Sequence, residues 1–202
     1  QFLKVLPDAT GSPESMVKRV WGQIGEAGLR EHAYIATSQP QVEMIQSQLG
    51  SEVEMIVEPE RRDTFPAIAL SVAYLYSVEG ISLDETVVVM PVDPYVNTSF
   101  FHKTKELEQV LEHSGADLAL MGVKPTFPSE KYGYIVPAAG TGSAAGTNTT
   151  IASASAGGAA IPEADSECSH SEPSYFSVSS FKEKPGREDA LRMMEQSALW
   201  NC

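Results

Sequence analysis

The sharpest candidate for chemistry in this sequence is one carboxylate, Asp93, which follows the apolar run at 86–90. In an open α/β sheet, ligands bind beyond the carboxyl ends of the strands, where loops and helix N-termini converge. A carboxylate at that place offers the hard oxygen that Mg²⁺ prefers. A turn residue before Pro94 explains Asp93 about equally well, because Asp and Pro are both turn formers.

Two charge-dense segments are further candidates. The first, EPERRDT at 58–64, leads into an apolar helical stretch, and N–H groups at a helix start can receive an anion or a base edge. Ordinary loop polarity explains that segment equally well. The second is FKEKP at 181–185, where strand alternation sends Lys182 and Lys184 to one face and Glu183 to the other, unless Pro185 bends the chain. Without further context, a solvated edge strand is the favoured interpretation.

Alternating elements must position these residues. Apolar spacing predicts helices at 12–25, 42–49, 66–78 and 100–115, and strands at 33–37, 54–57, 86–90 and 117–123. The run at 86–90 is continuously apolar, which is typical of a strand buried on both faces of a parallel sheet. The alternation therefore predicts an α/β fold with a doubly wound, mixed but mostly parallel sheet.

The second half of the chain follows a different pattern. Strands predicted at 131–136 and 175–181 are expected to be antiparallel, and a last helix is predicted at 187–197. Between the strands, 137–174 is rich in Ala, Gly and Ser, a composition that buries too little apolar area to offset its ordering entropy. We therefore predict a long low-complexity loop at 137–174 within a single partial domain that spans 1–202.

Charge and hydropathy exclude several function classes. The 202 residues carry 14 Lys and Arg against 27 Asp and Glu, a formal net charge of −13, which argues against a general electrostatic grip on nucleic acid or anionic lipid. The apolar runs are shorter than the roughly 20 residues of a membrane span. The two cysteines lie far apart without paired histidines, so a reducing, cytoplasmic setting fits best.

Six short blocks, taken in order, resemble the mannose-1-phosphate guanylyltransferases, or GDP-mannose pyrophosphorylases, a family of sugar nucleotidyltransferases. The blocks are EPERRDTFPAIA at 58–69, MPVD at 90–93, GVKPT at 122–126, YGYI at 132–135, FKEKP at 181–185 and LWN at 199–201. The resemblance implies a Rossmann-like nucleotide-diphospho-sugar transferase fold. It also implies that GTP and mannose 1-phosphate react to give pyrophosphate and GDP-mannose, a polysaccharide precursor.

The resemblance also implies roles for single residues. Asp93 would hold the Mg²⁺ that bridges the phosphates, and Lys184 would contact the sugar phosphate. Glu183 and Asn201 would hydrogen-bond sugar hydroxyls, while Gly133 would let the backbone approach the hexose. The nucleotide side is assigned to Glu58, Arg62, Thr64, Pro66 and Ala67.

Two departures from the family leave an alternative open. Val92 and Pro94 flank Asp93 where the family usually has Ser and His. The chain also begins beyond the family's first strand and glycine-rich triphosphate loop, so we expect these 202 residues alone not to turn over. The alternative is a non-catalytic sugar-nucleotide-binding subunit, or pseudoenzyme, of the same fold. The residues decide neither the hexose nor the base, and they leave a homodimer open.

Overall fold

The structure, a computed structural model, describes residues 1–8, 10–138, 149–154 and 175–201, with the backbone alone at 149–154. The chain divides into two compact units, Gln1–Thr98 and Ser99–Cys202. The single-domain organisation expected from the sequence stays a prediction. In the described part of the chain, no helix is both long enough and apolar enough to cross a bilayer.

The first unit combines two small sheets with three helices. Its elements in chain order are β1 (Lys4–Pro7), β2 (Pro13–Ser15), α1 (Met16–Glu26), β3 (Ile35–Ser38), α2 (Val42–Leu49), β4 (Met55–Glu58) and α3 (Thr64–Ser77). β1 and β2 are antiparallel, whereas β3 and β4 are parallel, with Ile35 opposite Met55. Short 3₁₀ turns at Arg30–His32 and Gln39–Gln41 complete the unit.

Helix α1 begins later than the sequence predicts. The residues expected to form its first turn lie in β2, and the cap is Ser15, whose hydroxyl oxygen accepts from the Lys18 N–H at 3.3 Å. Ser15 is buried, as are Val17, Val20 and Ile24 on the inner stripe of the helix. The apolar spacing identified the helix correctly, but the predicted start at residue 12 is wrong, because the cap that the structure uses lies at Ser15.

The prediction of a strand at 86–90 is wrong, and so is the prediction of an extended parallel sheet that includes it. In the described residues this run pairs with no strand, and Val87, Val88 and Val89 are 40, 41 and 55% exposed. Apolar composition leads to a buried strand only where a neighbouring strand supplies the backbone partners. Among the described residues, the parallel sheet of the first unit contains β3 and β4 alone.

The second unit is built around a five-stranded sheet that closes on itself. Its elements are α4 (Thr98–Ser114), which begins at the unit boundary, β5 (Leu118–Val123), β6 (Tyr134–Pro137), β7 (Thr149–Ala154), β8 (Tyr175–Lys182), α5 (Arg187–Glu195) and β9 (Leu199–Asn201). The order of strands around the ring is β5-β7-β8-β6-β9. Only β5 and β7 are parallel; the other four pairs are antiparallel. The antiparallel second half is thus confirmed, whereas the mostly parallel sheet is not.

Strand β7 lies inside the segment predicted as a loop. Thr149, Thr150 and Ile151 are β-branched, and their six-residue strand runs alongside all of β5. The average composition of 137–174 concealed this short run. Most of the remaining residues of that segment, and both cysteines, lie outside the described residues.

Helices α4 and α5 supply the apolar core of the second unit. Phe100, Phe101, Thr104, Leu107 and Val110 recur at helical spacing on the buried face of α4, as the sequence predicts. From α5, Ala190 and Met193 pack with Tyr134 and Val136 of β6 and with Ala198. This core fixes the start of β6, where the candidate sugar residues meet.

Candidate functional site

The backbone at Tyr132 and Gly133, just before β6, is the centre of the candidate sugar site. The Asn201 N–H donates to the Gly133 carbonyl at 2.9 Å, and the Lys184 N–H donates to the Tyr132 carbonyl at 3.2 Å. These bonds tie the end of β9 and the residues after β8 to the same two peptides. The structure thereby brings together all four residues that the sequence assigned to the sugar and its phosphate: Gly133, Glu183, Lys184 and Asn201.

Gly133 is required by space. A Cβ at this buried position would lie 2.7 Å from Glu183 Oε2 and 2.7 Å from Phe181 Cζ. Neither distance is compatible with a carbon contact, so any larger residue would displace the carboxylate and the ring. The Gly133 backbone therefore lies against the Glu183 carboxylate and the Phe181 ring, and its approach to a hexose stays a prediction.

Lys184 occupies an uncommon backbone conformation beside a buried proline. Its φ is +43°, in the left-handed region, and Pro185 after it is fully buried. Such strain costs on the order of 1–3 kcal/mol and concentrates at functional sites. The Lys184 side chain is 64% exposed, and its Nζ lies 3.4 Å from Glu183 Oε1. The predicted alternation of faces therefore ends at Lys182, where β8 ends and the chain bends before Pro185.

Three aromatic side chains and one hydroxyl, which the sequence reasoning missed, hold the loop before Gly133. The Trp200 ring lies 5.1 Å from the Phe127 ring and 4.9 Å from the Tyr132 ring, measured between centroids. The Tyr134 hydroxyl accepts from the Ser129 N–H at 2.8 Å. The aromatic run FPSEKYGY was the available signal, but its pairing with Trp200 depends on the closed sheet.

The first unit contains an open cavity of about 560 Å³ at the end of β4 and the start of α3. It is lined by Glu58, Pro59, Glu60, Arg62, Pro66, Ala67 and Leu70. Four of the five residues assigned to the nucleotide thus share one cavity; Thr64 is not part of its lining but is the first residue of α3. Arg62 Nε donates to Glu60 Oε2 at 2.9 Å, and both side chains are exposed.

Asp63, beside this cavity, has a strained backbone. Its φ of +66° and ψ of −168° fall in a region that only glycine adopts readily. Asp63 is the N-cap residue of α3, yet its side chain makes no capping hydrogen bond. The first-turn N–H groups of α3 therefore lack the side-chain cap that an aspartate at this position usually supplies.

Asp93 lies in the first unit, in an irregular and exposed stretch. Within the described residues it makes no hydrogen bond or ion pair, and no group of three or more His, Cys, Asp or Glu is arranged to hold a metal. Mg²⁺ commonly binds through one or two carboxylates plus phosphate oxygens and water. A single unpaired carboxylate fits that mode, in which bound phosphates complete the coordination.

Comparison with known proteins gives the family. Residues 4–153 match the family described as Nucleotidyl transferase. The chain belongs to the nucleotidyl transferase family. Among curated members, the chain is 32% identical to the xanthan biosynthesis protein XanB of Xanthomonas campestris pv. campestris strain B100, over 57% of this chain and 23% of XanB. XanB of strain ATCC 33913 is 31% identical over the same shares of the two chains. The chain thus matches about a quarter of these relatives' length.

Two solved structures have a similar fold. One has the name mannose-1-phosphate geranyltransferase, from Thermus thermophilus; its TM-score is 0.67 at 20% identity, and the match covers 98% of this chain and 48% of that one. The other is a mannose-6-phosphate isomerase from Helicobacter pylori, with a TM-score of 0.66 at 17% identity over 100% of this chain and 62% of that one. These two similarities confirm an α/β fold, and the family match over residues 4–153 confirms the resemblance to nucleotidyltransferases found in the sequence.

Proposed function

We propose that this protein is a mannose-1-phosphate guanylyltransferase, which forms GDP-mannose and pyrophosphate from GTP and mannose 1-phosphate. The observation that carries the proposal is the convergence of Gly133, Glu183, Lys184 and Asn201 in a chain of this family. A carboxylate, an amide and a backbone carbonyl are groups that hydrogen-bond hydroxyls, and the neighbouring amine suits a phosphate.

The reaction needs positioning and charge neutralisation. An oxygen of the sugar phosphate attacks the α-phosphorus of GTP in line, the bond from that phosphorus to the bridging oxygen breaks, and pyrophosphate leaves. Lys184 is suited to hold the attacking phosphate because its amine is exposed and pairs with one carboxylate among the described residues, that of Glu183 at 3.4 Å. An arriving phosphate can replace that carboxylate as the partner of the amine.

The cavity at Glu58 and Arg62 is proposed to hold the nucleoside. Its volume of about 560 Å³ falls in the range of small-molecule sites, roughly 300–1,000 Å³. Glu58 and Glu60 offer acceptors for a base edge, and the apolar wall of Pro66, Ala67 and Leu70 suits a flat ring. Asp93 would hold Mg²⁺, which neutralises phosphate charge when bound.

A sugar-nucleotide-binding subunit without catalysis is the second candidate. It is favoured by the surroundings of Asp93, because Val92 and Pro94 offer no side-chain hydrogen bond to orient the carboxylate. Such a protein would bind GDP-mannose but would not release pyrophosphate.

The two candidates are separated by measuring pyrophosphate release from GTP plus mannose 1-phosphate with the full-length protein rather than with these 202 residues alone. We expect turnover, reduced about 100-fold in Asp93→Asn, since the amide cannot neutralise the metal charge. Asp84→Asn, an exposed carboxylate of the same unit, is the matched control and should retain full activity. Undiminished activity in Asp93→Asn would refute the metal assignment, and GDP-mannose binding without any turnover would favour the subunit.

A further inference from the structure

Three polar side chains of α1 contact the segment that follows Asp93. The Arg19 guanidinium carbon lies 5.0 Å from the centroid of the Tyr95 ring, and Gln23 Nε2 donates to the Val96 carbonyl at 2.8 Å. One turn further on, Glu26 Oε2 accepts from the Thr98 hydroxyl at 2.7 Å. All of these groups belong to the first unit.

The spacing of these contacts matches helix and extended chain. Positions 19, 23 and 26 fall on one face of a helix, and at 1.5 Å per residue they span about 10.5 Å. Residues 95–98 span about 10 Å when extended, at roughly 3.3–3.6 Å per residue. Because helix α1 and the segment 95–98 run in the same direction, each contact residue further along the helix meets a residue further along the segment. The helix therefore holds this segment extended along its length.

The burial of Gln23 points to the same role. Gln23 is 6% exposed, and its Oε1 is buried without a hydrogen-bond partner in the described residues. An unpaired buried acceptor is unfavourable, so packing alone would be served better by an apolar residue. The amide at this position instead provides the donor to Val96.

We propose that Arg19, Gln23 and Glu26 are positioning residues for Asp93. Asp93 precedes Tyr95 by two residues, and the intervening Pro94 has a fixed φ, so holding 95–98 in place limits where the carboxylate can lie. Asp93 has no hydrogen bond of its own to the described residues, and the α1 contacts supply the nearest restraint. The proposal rests on the role proposed for Asp93 in binding Mg²⁺ and phosphates.

The restraint itself is tested by proteolysis, without substrate or metal. Gln23→Met keeps the side-chain length and removes both the donor and the unpaired oxygen, so the fold should persist. Chymotrypsin cleavage after Tyr95 should become about fivefold faster, the effect of losing one ordinary hydrogen bond. Gln46→Met on α2 is the matched control and should leave the rate unchanged. If Gln23→Met fails to fold, Thr98→Val tests the same restraint, because it removes the hydroxyl that donates to Glu26.

The consequence for Asp93 is tested by titrating Mg²⁺ in the pyrophosphate-release assay of the full-length protein. In Gln23→Met, the Mg²⁺ concentration for half-maximal activity should rise about fivefold while KM for mannose 1-phosphate stays constant. Faster cleavage with an unchanged Mg²⁺ response would overturn the positioning role, and unchanged cleavage would overturn the restraint. A fully active Asp93→Asn would instead refute the proposed function, whatever the cleavage rates are.

Discussion

Two of the residues assigned to the site or lying beside it are notable for conformation as well as chemistry. Lys184 and Asp63 both have positive φ without being glycine, and both lie in segments that the family resemblance identified. A third such residue, Ser197, follows the end of α5, where a left-handed residue is an ordinary way to end a helix. The sequence identified the segments correctly, but it carries no signal for a strained backbone at a lysine or an aspartate.

Lys184 allows strain and chemistry to be separated by two substitutions. Alanine keeps the left-handed strain whereas glycine relieves it, so Lys184→Gly should be more stable than Lys184→Ala by about 1 kcal/mol. Neither variant has the amine, and both should lose at least about tenfold in kcat/KM for mannose 1-phosphate. Denaturant unfolding measures the difference in stability, and pyrophosphate release measures kcat/KM. A Lys184→Ala variant that unfolds, or a glycine variant that regains activity, would show that the residue is structural.

At the scale of elements, local periodicity predicted what local interactions decide. The 3.6-residue spacing located α2, α3, α4 and α5, and short apolar runs located the strands β3 to β6 and β8. The prediction failed for the run at 86–90, which forms no strand, and for β1, β2, β7 and β9, which were not predicted. Strand formation depends on which partner edge is available, a property of distant residues. The contacts from α1 to 95–98 were missed for the same reason.

The attachment of α5 to β8 has a predictable pH dependence. The Lys182 ammonium donates to Asp189 Oδ2 at 2.5 Å, Arg192 also pairs with Asp189, and these hydrogen bonds hold the pKa of Asp189 below its ordinary 3.8. A depressed pKa means that the stabilisation is present above pH 3.8 and is lost as the pH falls through the lower folded-state value.

We therefore expect Asp189→Asn to lower Tm by about 2 °C at pH 7 and by less near pH 2, because the native carboxylate loses its charge as the pH falls through its lowered pKa. Thermal unfolding at both pH values measures this. Glu188→Gln, on the same helix turn and in no ion pair with the described residues, is the control and should not show this pH-dependent loss. An equal decrease at both pH values would mean that Asp189 acts through packing rather than charge.

At the scale of the whole molecule, closure of the sheet assembles the candidate sugar site of the second unit. Residues 133, 183–184 and 201 lie at the ends of three different strands, and they meet because β6 pairs with both β8 and β9. The sequence predicted these residues, but not the ring that joins them. With a net charge of −13, the molecule has no general attraction for anions, so phosphates depend on individually placed groups such as Lys184.

Strand β7 completes this ring, so breaking it should weaken the sugar site at a distance. Ile151 pairs with Leu120 of β5 and Phe176 of β8, and Ile151→Pro removes its N–H and distorts the strand. Because β8 leads directly into Glu183 and Lys184, we expect hydrogen exchange in β5 and β8 to rise by at least about tenfold and KM for mannose 1-phosphate to rise with it. Ile151→Val, which keeps the N–H and the β-branch, is the control. Peptides from β3 and β4 report global unfolding, because those strands lie outside the ring. If their hydrogen exchange rises as much as that of β5 and β8, the variant unfolds globally and β7 has no specific role in the ring. If β5 and β8 stay protected, β7 does not hold the ring together.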